Sequence, residues 1–163
     1  MKRLFLVLFV FGFISCSADK KQQDKEFIEQ MERSTLSDVK VISYEKADSL
    51  INGYLNYVKN YPEDSLCATY LYRAADVYAN TKRCIESIKT YDRLIAEYPD
   101  NVLVESAYFL KGIVFSQTCL NKEKAAEAFT LFIEKYPNSN LCDQARTLLI
   151  MDTMKDEMDL IRQ

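Results

Sequence analysis

The sequence predicts an all-α fold built from a row of antiparallel helical hairpins. All three prolines follow a tyrosine, at Tyr61-Pro62, Tyr98-Pro99 and Tyr136-Pro137, and the intervals between them are 37 and 38 residues. A fixed period of this length is typical of repeat proteins, in which each repeat is one supersecondary unit stacked on the next. Because proline lacks an N–H and clashes with the preceding turn, each Tyr-Pro pair is expected to end a helix. Strand-like alternation of apolar and polar residues is not found.

The N-terminus has the features of a cleavable signal peptide. Two basic residues precede an apolar run of 11 residues, from Leu4 to Ile14. That run is too short to span a bilayer, which takes about 20 residues, but it suits a signal-peptide core. The segment ending at Cys16 resembles a lipobox, which implies that residues 1–15 are removed and that Cys16 is lipidated. An ordinary secreted protein with a chance cysteine is the alternative.

The helices follow in order behind the signal peptide. Residues 16–25 are polar and predict a tether, and the helical domain is expected over residues 26–163. A helix that ends at Pro62 has apolar residues at i, i+3, i+4 and i+7 from Ala47 onwards. Complete hairpins are predicted at residues 65–99 and 102–137, and a terminal helix from residue 139. The predicted N-cap residues are Asp64 or Ser65, Asp100 or Asn101, and Asn138 with Ser139.

The two complete hairpins resemble the tetratricopeptide repeat. The matching positions in the first are Leu71, Ala75, Tyr78, Ser87, Tyr91 and Pro99, and in the second Tyr108, Gly112, Phe115, Ala125, Phe129 and Pro137. The resemblance implies a right-handed superhelix whose concave face binds partner segments without catalysis. The Tyr-Pro endings, the cap residues after them and the three or four extra residues per repeat resemble those of envelope proteins of the BamD/YbgF type. That likeness implies a scaffold for an envelope protein or peptide segment, anchored by lipid in the outer membrane and facing the periplasm.

The repeat resemblance also implies which residues line the concave face. An apolar strip is expected from Tyr72, Phe109, Ile113 and Met151, beside the polar residues Thr69, Asp76, Ser116 and Gln144. Exposed apolar strips with polar rims are common recognition sites. The alternative is that a terminal segment of the same chain covers the strip, since a short array needs its ends capped.

Composition bears on the other functional classes. The chain has no histidine and a net charge of −3 with scattered basic residues, which argues against a metal site and nucleic-acid binding. The available carboxylates pair with no nucleophile or phosphate loop, so we expect no catalysis and no cofactor. They are Asp76, Glu86, Glu105, Glu123 and Glu127. Self-association is the alternative function, with the open last helix stacking on a second copy.

Four cysteines follow the lipobox. Cys67 and Cys142 each lie five residues after a proline and two repeats apart, too far for a disulfide. Cys84 and Cys119 fall near the turns of adjacent hairpins and could approach each other. The favoured interpretation is that the cysteines are small buried residues.

Overall fold

The computed structural model describes the backbone of residues 5–36 and 42–161 and the side chains of residues 19–35 and 42–151. These residues form seven α-helices and no strand, which confirms the predicted all-α repeat fold. The helices are α1 (Phe5–Leu36), α2 (Tyr44–Asn60), α3 (Cys67–Asn80), α4 (Cys84–Glu97), α5 (Leu103–Gln117), α6 (Lys122–Lys135) and α7 (Cys142–Ile161). Within the described residues, no helix is long and apolar enough to cross a membrane.

The chain forms two compact units, Met1–Cys67 and Ala68–Gln163. In the first unit, α1 packs against α2, and Ile28 of α1 is only 1% exposed. The Tyr54 hydroxyl donates to the Glu32 carboxylate at 2.7 Å, and the Tyr61 hydroxyl donates to Asp24 at 2.8 Å. These contacts hold the second half of α1 along α2 and the start of the loop that follows it.

The tether expected at residues 16–25 is not an extended linker, because these residues lie inside α1. Lys21 forms an ion pair with Asp64, and Asp24 accepts the hydrogen bond from Tyr61. Lys21 and Asp24 of this segment therefore have partners in the first unit. The predicted lipidation of Cys16 concerns a side chain outside the described ones.

The three Tyr-Pro loops share one geometry. Each tyrosine has φ between −135° and −128° and ψ between 55° and 59°, outside the helical region that the following proline disfavours. The tyrosine N–H still donates to the carbonyl four residues earlier, and its own carbonyl accepts the N–H three residues later at 2.9–3.0 Å. The chain thus leaves one helix and turns towards the next in the same way three times.

The residue three positions after each tyrosine begins the turn that leads into the next helix. The side chains of Asp64, Asn101 and Ser139 each accept the N–H two residues ahead, at 2.8, 3.0 and 3.1 Å. The sequence predicted these three residues as N-caps, but α3, α5 and α7 begin two or three residues later, and the N-cap of α5 is Val102, which has no side-chain cap. The thiols of Cys67 and Cys142 donate to the carbonyls of Tyr61 and Tyr136 at 3.0 Å. The two cysteines therefore occupy equivalent positions in their repeats, and no disulfide joins them, as predicted.

Small residues let the helices of the second unit approach closely. Ser87 is fully buried and donates to the carbonyl of Ala75 at 2.9 Å, which fixes α4 against α3. Gly112 of α5 faces the fully buried ring of Phe129 on α6. Both contacts lie at the small-residue positions that the repeat resemblance assigned.

A disulfide joins Cys84 to Cys119, with 5.2 Å between the two Cα atoms. This corrects the favoured interpretation of these two cysteines as free buried residues. Cys84 follows the α3–α4 turn and Cys119 lies in the α5–α6 turn, so the bond ties two adjacent hairpins together at their turns. Closing a loop of this sequence separation, 35 residues, stabilises a fold by about 4 kcal/mol in the chain-entropy treatment.

Substitution of Gly112 tests the crossing of α5 and α6. A Cβ on Gly112 would lie 2.6 Å from Cδ1 and 2.8 Å from Cζ of Phe129, with Cε1 closer still. Alanine gains about 1 kcal/mol over glycine in a helix, but overpacking costs about 1–3 kcal/mol. We expect Gly112→Ala to lower the free energy of unfolding, measured by urea denaturation.

Gly53 in α2 provides the matched control. A Cβ there would lie 3.3 Å from Cγ1 of Ile28, so a small shift relieves the contact. Gly53→Ala should therefore change the stability by less than Gly112→Ala, or raise it. A Gly112→Ala protein that gains as much stability as Gly53→Ala would contradict the described crossing.

Candidate partner-binding cleft

A cleft of about 210 Å³ lies in the second unit between the first helices of its two hairpins. We call it the α3–α5 cleft. Residues near the C-terminal end of α3 form one wall. Residues on one face of α5, spaced over two helical turns, form the other. The lining residues are Asp76, Ala79, Asn80, Lys82, Tyr91, Leu110, Ile113, Val114, Gln117 and Thr118.

The disulfide joins the two turns that contribute Lys82 and Thr118 to this cleft. Lys82 and Thr118 line the cleft and lie next to the disulfide in sequence, two residues before Cys84 and one before Cys119. Lys82 has a positive φ of 63°, a left-handed conformation that a non-glycine residue adopts mainly in turns. The covalent link between the two turns therefore fixes the distance between α3 and α5 at this end.

Asp76 is the acidic group of the cleft. Its carboxylate accepts a hydrogen bond from the hydroxyl of Tyr91, which is fully buried on α4. Burial raises the pKa of Asp76, and the bond from Tyr91 offsets only part of that effect. Burial and the neighbouring Asp76 charge in turn raise the pKa of Tyr91 far above its usual value. Tyr91 is therefore a neutral donor that holds the carboxylate in place.

The structure brings together part of the predicted concave face. Asp76 and Ile113 line the α3–α5 cleft. Tyr72 lies one helical turn before Asp76, half-buried, with its ring edge-on to Tyr91 at 5.9 Å between centroids. Thr69 lies on α3 before Tyr72, and Ser116 lies beside Gln117 on α5; both are half-buried and neither lines the cleft.

Phe109 is a core residue, which corrects its assignment to the exposed strip. Its side chain is only 6% exposed and contacts the rings of Phe129 and Phe132, at 5.8 and 5.5 Å between centroids. The ring fills space beside the α5–α6 crossing and buries more apolar area there than it would in an open groove. Substitution of Phe109 would therefore report on stability and not on partner binding.

The predicted residues of α7 lie outside the cleft. Gln144 is exposed and Met151 is 61% exposed, and neither is among the lining residues. Ile150 beside Met151 is 57% exposed as well. The inner face of α7 is anchored instead by the buried residues Cys142 and Ala145, which belong to the α5–α6 core.

Sequence reasoning did not include the polar residues at the turn end of the cleft. Asn80 and Gln117 line it, and each lies four residues after a predicted site residue, Asp76 and Ile113 respectively. The i, i+4 spacing of a helix face would have extended the prediction by one turn. Lys82 and Thr118 carry no such signal, because they lie in turns.

A larger groove of about 290 Å³ lies between α5 and α6 but contains none of the predicted site residues. Lys124 lies over the ring of Phe115, 5.9 Å from its centroid, and Lys111 pairs with Asp92 at 2.5 Å. Its lysines are thus already engaged within the chain. The α3–α5 cleft is the better candidate for a partner, because it contains Asp76 and Ile113, two positions that the repeat resemblance assigns to the concave face. Among the described residues, no group of three or more histidine, cysteine or acidic side chains has metal-site geometry.

Comparison with known protein families supports the repeat type. Residues 69–101 and 106–139 each match the family model described as tetratricopeptide repeat. No curated protein matches the chain. The matched segments cover α3 with α4 and α5 with α6, which are the two hairpins that form the cleft. All-helical repeats of this kind typically serve as modules for protein–protein interaction.

Proposed function

We propose that the protein is a non-catalytic scaffold that binds a segment of an envelope protein in the α3–α5 cleft. In this proposal it is anchored by lipid in the outer membrane, faces the periplasm and belongs to an envelope assembly or maintenance complex of the BamD/YbgF type. The observation that carries the proposal is the meeting of Asp76 and Ile113, two positions assigned to the concave face, in one cleft.

Two features support an extracytoplasmic location. The lipobox-like segment ending at Cys16 favours export and lipidation. The disulfide between Cys84 and Cys119 is of a kind that persists in oxidising compartments such as the periplasm and is rare in the cytosol. Both features favour the same side of the inner membrane, although they are far apart in the sequence.

Self-association is the second candidate function. Helix α7 resembles the first helix of a further hairpin, and its side chains Ile150 and Met151 are 57% and 61% exposed. Exposed apolar side chains near the end of a repeat array favour stacking of a further helix. A second copy of the chain would supply that helix in this alternative.

Photo-crosslinking in the producing cells tests which surface binds a partner. A benzophenone amino acid replaces Gln117, which lines the cleft and is exposed, or Glu134, an exposed residue of α6 outside the cleft. We expect discrete adducts with another protein from position 117 and none from position 134. Equal adducts from both positions, or none from position 117, would contradict binding in the cleft.

A third position separates the two candidate functions. The same amino acid at Met151 reports on the exposed end of α7. An adduct of twice the chain mass from position 151, with none from position 117, would favour self-association. Adducts from position 117 only would favour the scaffold function.

Lipidation of Cys16 is tested by mass spectrometry of the N-terminal peptide. We expect an acylated Cys16 as the first residue, and we expect Cys16→Ala to be released from the membrane or to remain an uncleaved precursor, since stable anchoring takes more than one acyl chain. Cys67→Ala is the control, because Cys67 is buried and far from the N-terminus in sequence. An unmodified N-terminus at or beyond Ser17 would contradict the anchor.

A further inference from the structure

We propose that the α3–α5 cleft recognises a basic side chain, lysine or arginine, of the protein segment it binds, and that the Asp76 carboxylate pairs with that cation. The inference rests on the proposed function, since it requires that a protein segment enters this cleft. It adds the chemistry of the segment, which neither the fold nor the repeat type specifies.

The first argument is the charge of Asp76. Its one hydrogen-bond donor in the described part of the chain is the neutral hydroxyl of Tyr91, and no lysine or arginine of that part pairs with it. A carboxylate offers about four acceptor positions on two oxygens. Burying a charge without a counter-charge is unfavourable, and the raised pKa of Asp76 reflects that penalty.

Other acidic residues show what a counter-charge does within the same chain. Asp64 is also largely buried, with 11% of its side chain exposed, but it pairs with Lys21. Burial by itself would raise the pKa of Asp64, yet the contacts with Lys21 and with the Leu66 amide lower it overall. Asp92 pairs with Lys111 and Glu97 with Arg93. Asp76 differs because it opens into a cleft instead of facing a cation.

The second argument is the shape and lining of the cleft. A volume of about 210 Å³ is large enough for one long side chain. Ala79, Ile113 and Val114 provide an apolar wall for the methylene groups of a lysine or arginine, whose stems pack on apolar surface. The ring of Tyr72, one turn before Asp76, adds an aromatic group near the carboxylate, of the kind that attracts cations.

Lys82 limits where the cation lies. It lines the cleft at the turn end, beside the disulfide, while Asp76 lies on the α3 wall. Like charges repel, so the basic side chain is expected at the Asp76 end and not beside Lys82. The cleft therefore suits one basic residue in an otherwise apolar or neutral segment, and not a run of basic residues.

Peptide selection on the full chain tests the inference. A phage library of random dodecapeptides is selected on the full-length protein in mild detergent, and in parallel on Asp76→Asn. Asparagine keeps the acceptor for Tyr91 but removes the charge, so a purely structural role of Asp76 is preserved in this variant. We expect sequences enriched in one lysine or arginine next to apolar residues on the wild type, and loss of that enrichment on Asp76→Asn.

A synthetic peptide adds a measurement that needs no variant of the protein. The best selected peptide is compared with the same peptide carrying citrulline for arginine, or acetyl-lysine for lysine. We expect binding to weaken by about tenfold or more, because a hydrogen bond to a charged group contributes about 1.5–3 kcal/mol. This comparison holds even if Asp76→Asn does not fold.

The outcomes separate the inference from the proposed function. Peptides without basic enrichment, or basic peptides that bind Asp76→Asn and the neutral analogue equally well, would overturn the inference and leave segment binding intact. Failure to select any peptide, on the wild type or the variant, would overturn both. Selected basic peptides that lose binding in both comparisons would support both.

Discussion

The backbone geometry of the Tyr-Pro loop is the constraint on which the rest of the structure depends. Proline removes one N–H and keeps the preceding tyrosine out of the helical region, so each helix ends at the same point. The tyrosine carbonyl then accepts the N–H of the residue three positions later, whose side chain accepts the N–H two residues ahead in the turn that leads into the next helix. Three such loops at intervals of 37 and 38 residues set the helix lengths and the register of the hairpins.

The register determines which residues of adjacent hairpins meet. On one side of the second unit, Gly112 leaves room for Phe129, and the α5–α6 core forms around this contact. On the other side, α3 and α5 lie close enough for Asp76 and Ile113 to share a cleft. The disulfide joins the two turns at one end of that cleft. Tyr91 of α4 also lines the cleft, and its hydroxyl donates a hydrogen bond to the Asp76 carboxylate. The site is therefore a consequence of the hairpin stacking and needs no separate loop or insertion.

The sequence predicted the parts of the fold that depend on local signals. Helix ends follow from proline chemistry, and the small residues at Ala75 and Gly112 follow from the repeat resemblance; the structure has both where expected. The burial of Phe109 could not be predicted from these local signals. Helix α5 is apolar on much of its surface, so its sequence pattern does not distinguish a buried face from an exposed one. Its ring is drawn to Phe129 and Phe132, a tertiary contact that a single helix pattern does not contain.

Contacts between residues that are far apart in the sequence could not be predicted either. The docking of α1 depends on Asp24 and Glu32 meeting tyrosines 37 and 22 residues away, which leaves only a weak local pattern. The disulfide forms because two turns lie close together in space, so sequence spacing alone did not decide whether Cys84 and Cys119 are bonded. For the cleft, sequence placed Asp76 and Ile113 on the inner face but missed the turn residues that close it.

Mapping of the disulfide after refolding tests the hairpin register most directly. The reduced, unfolded chain is refolded in a glutathione redox buffer, trapped with an alkylating reagent and digested without reduction. The described register predicts one linked peptide pair, Cys84 with Cys119, and alkylation of Cys67 and Cys142 only after unfolding, since both are buried. A linkage that involves Cys67 or Cys142, or a Cys84 and Cys119 that remain unlinked in the refolded protein, would contradict the stacking that creates the α3–α5 cleft.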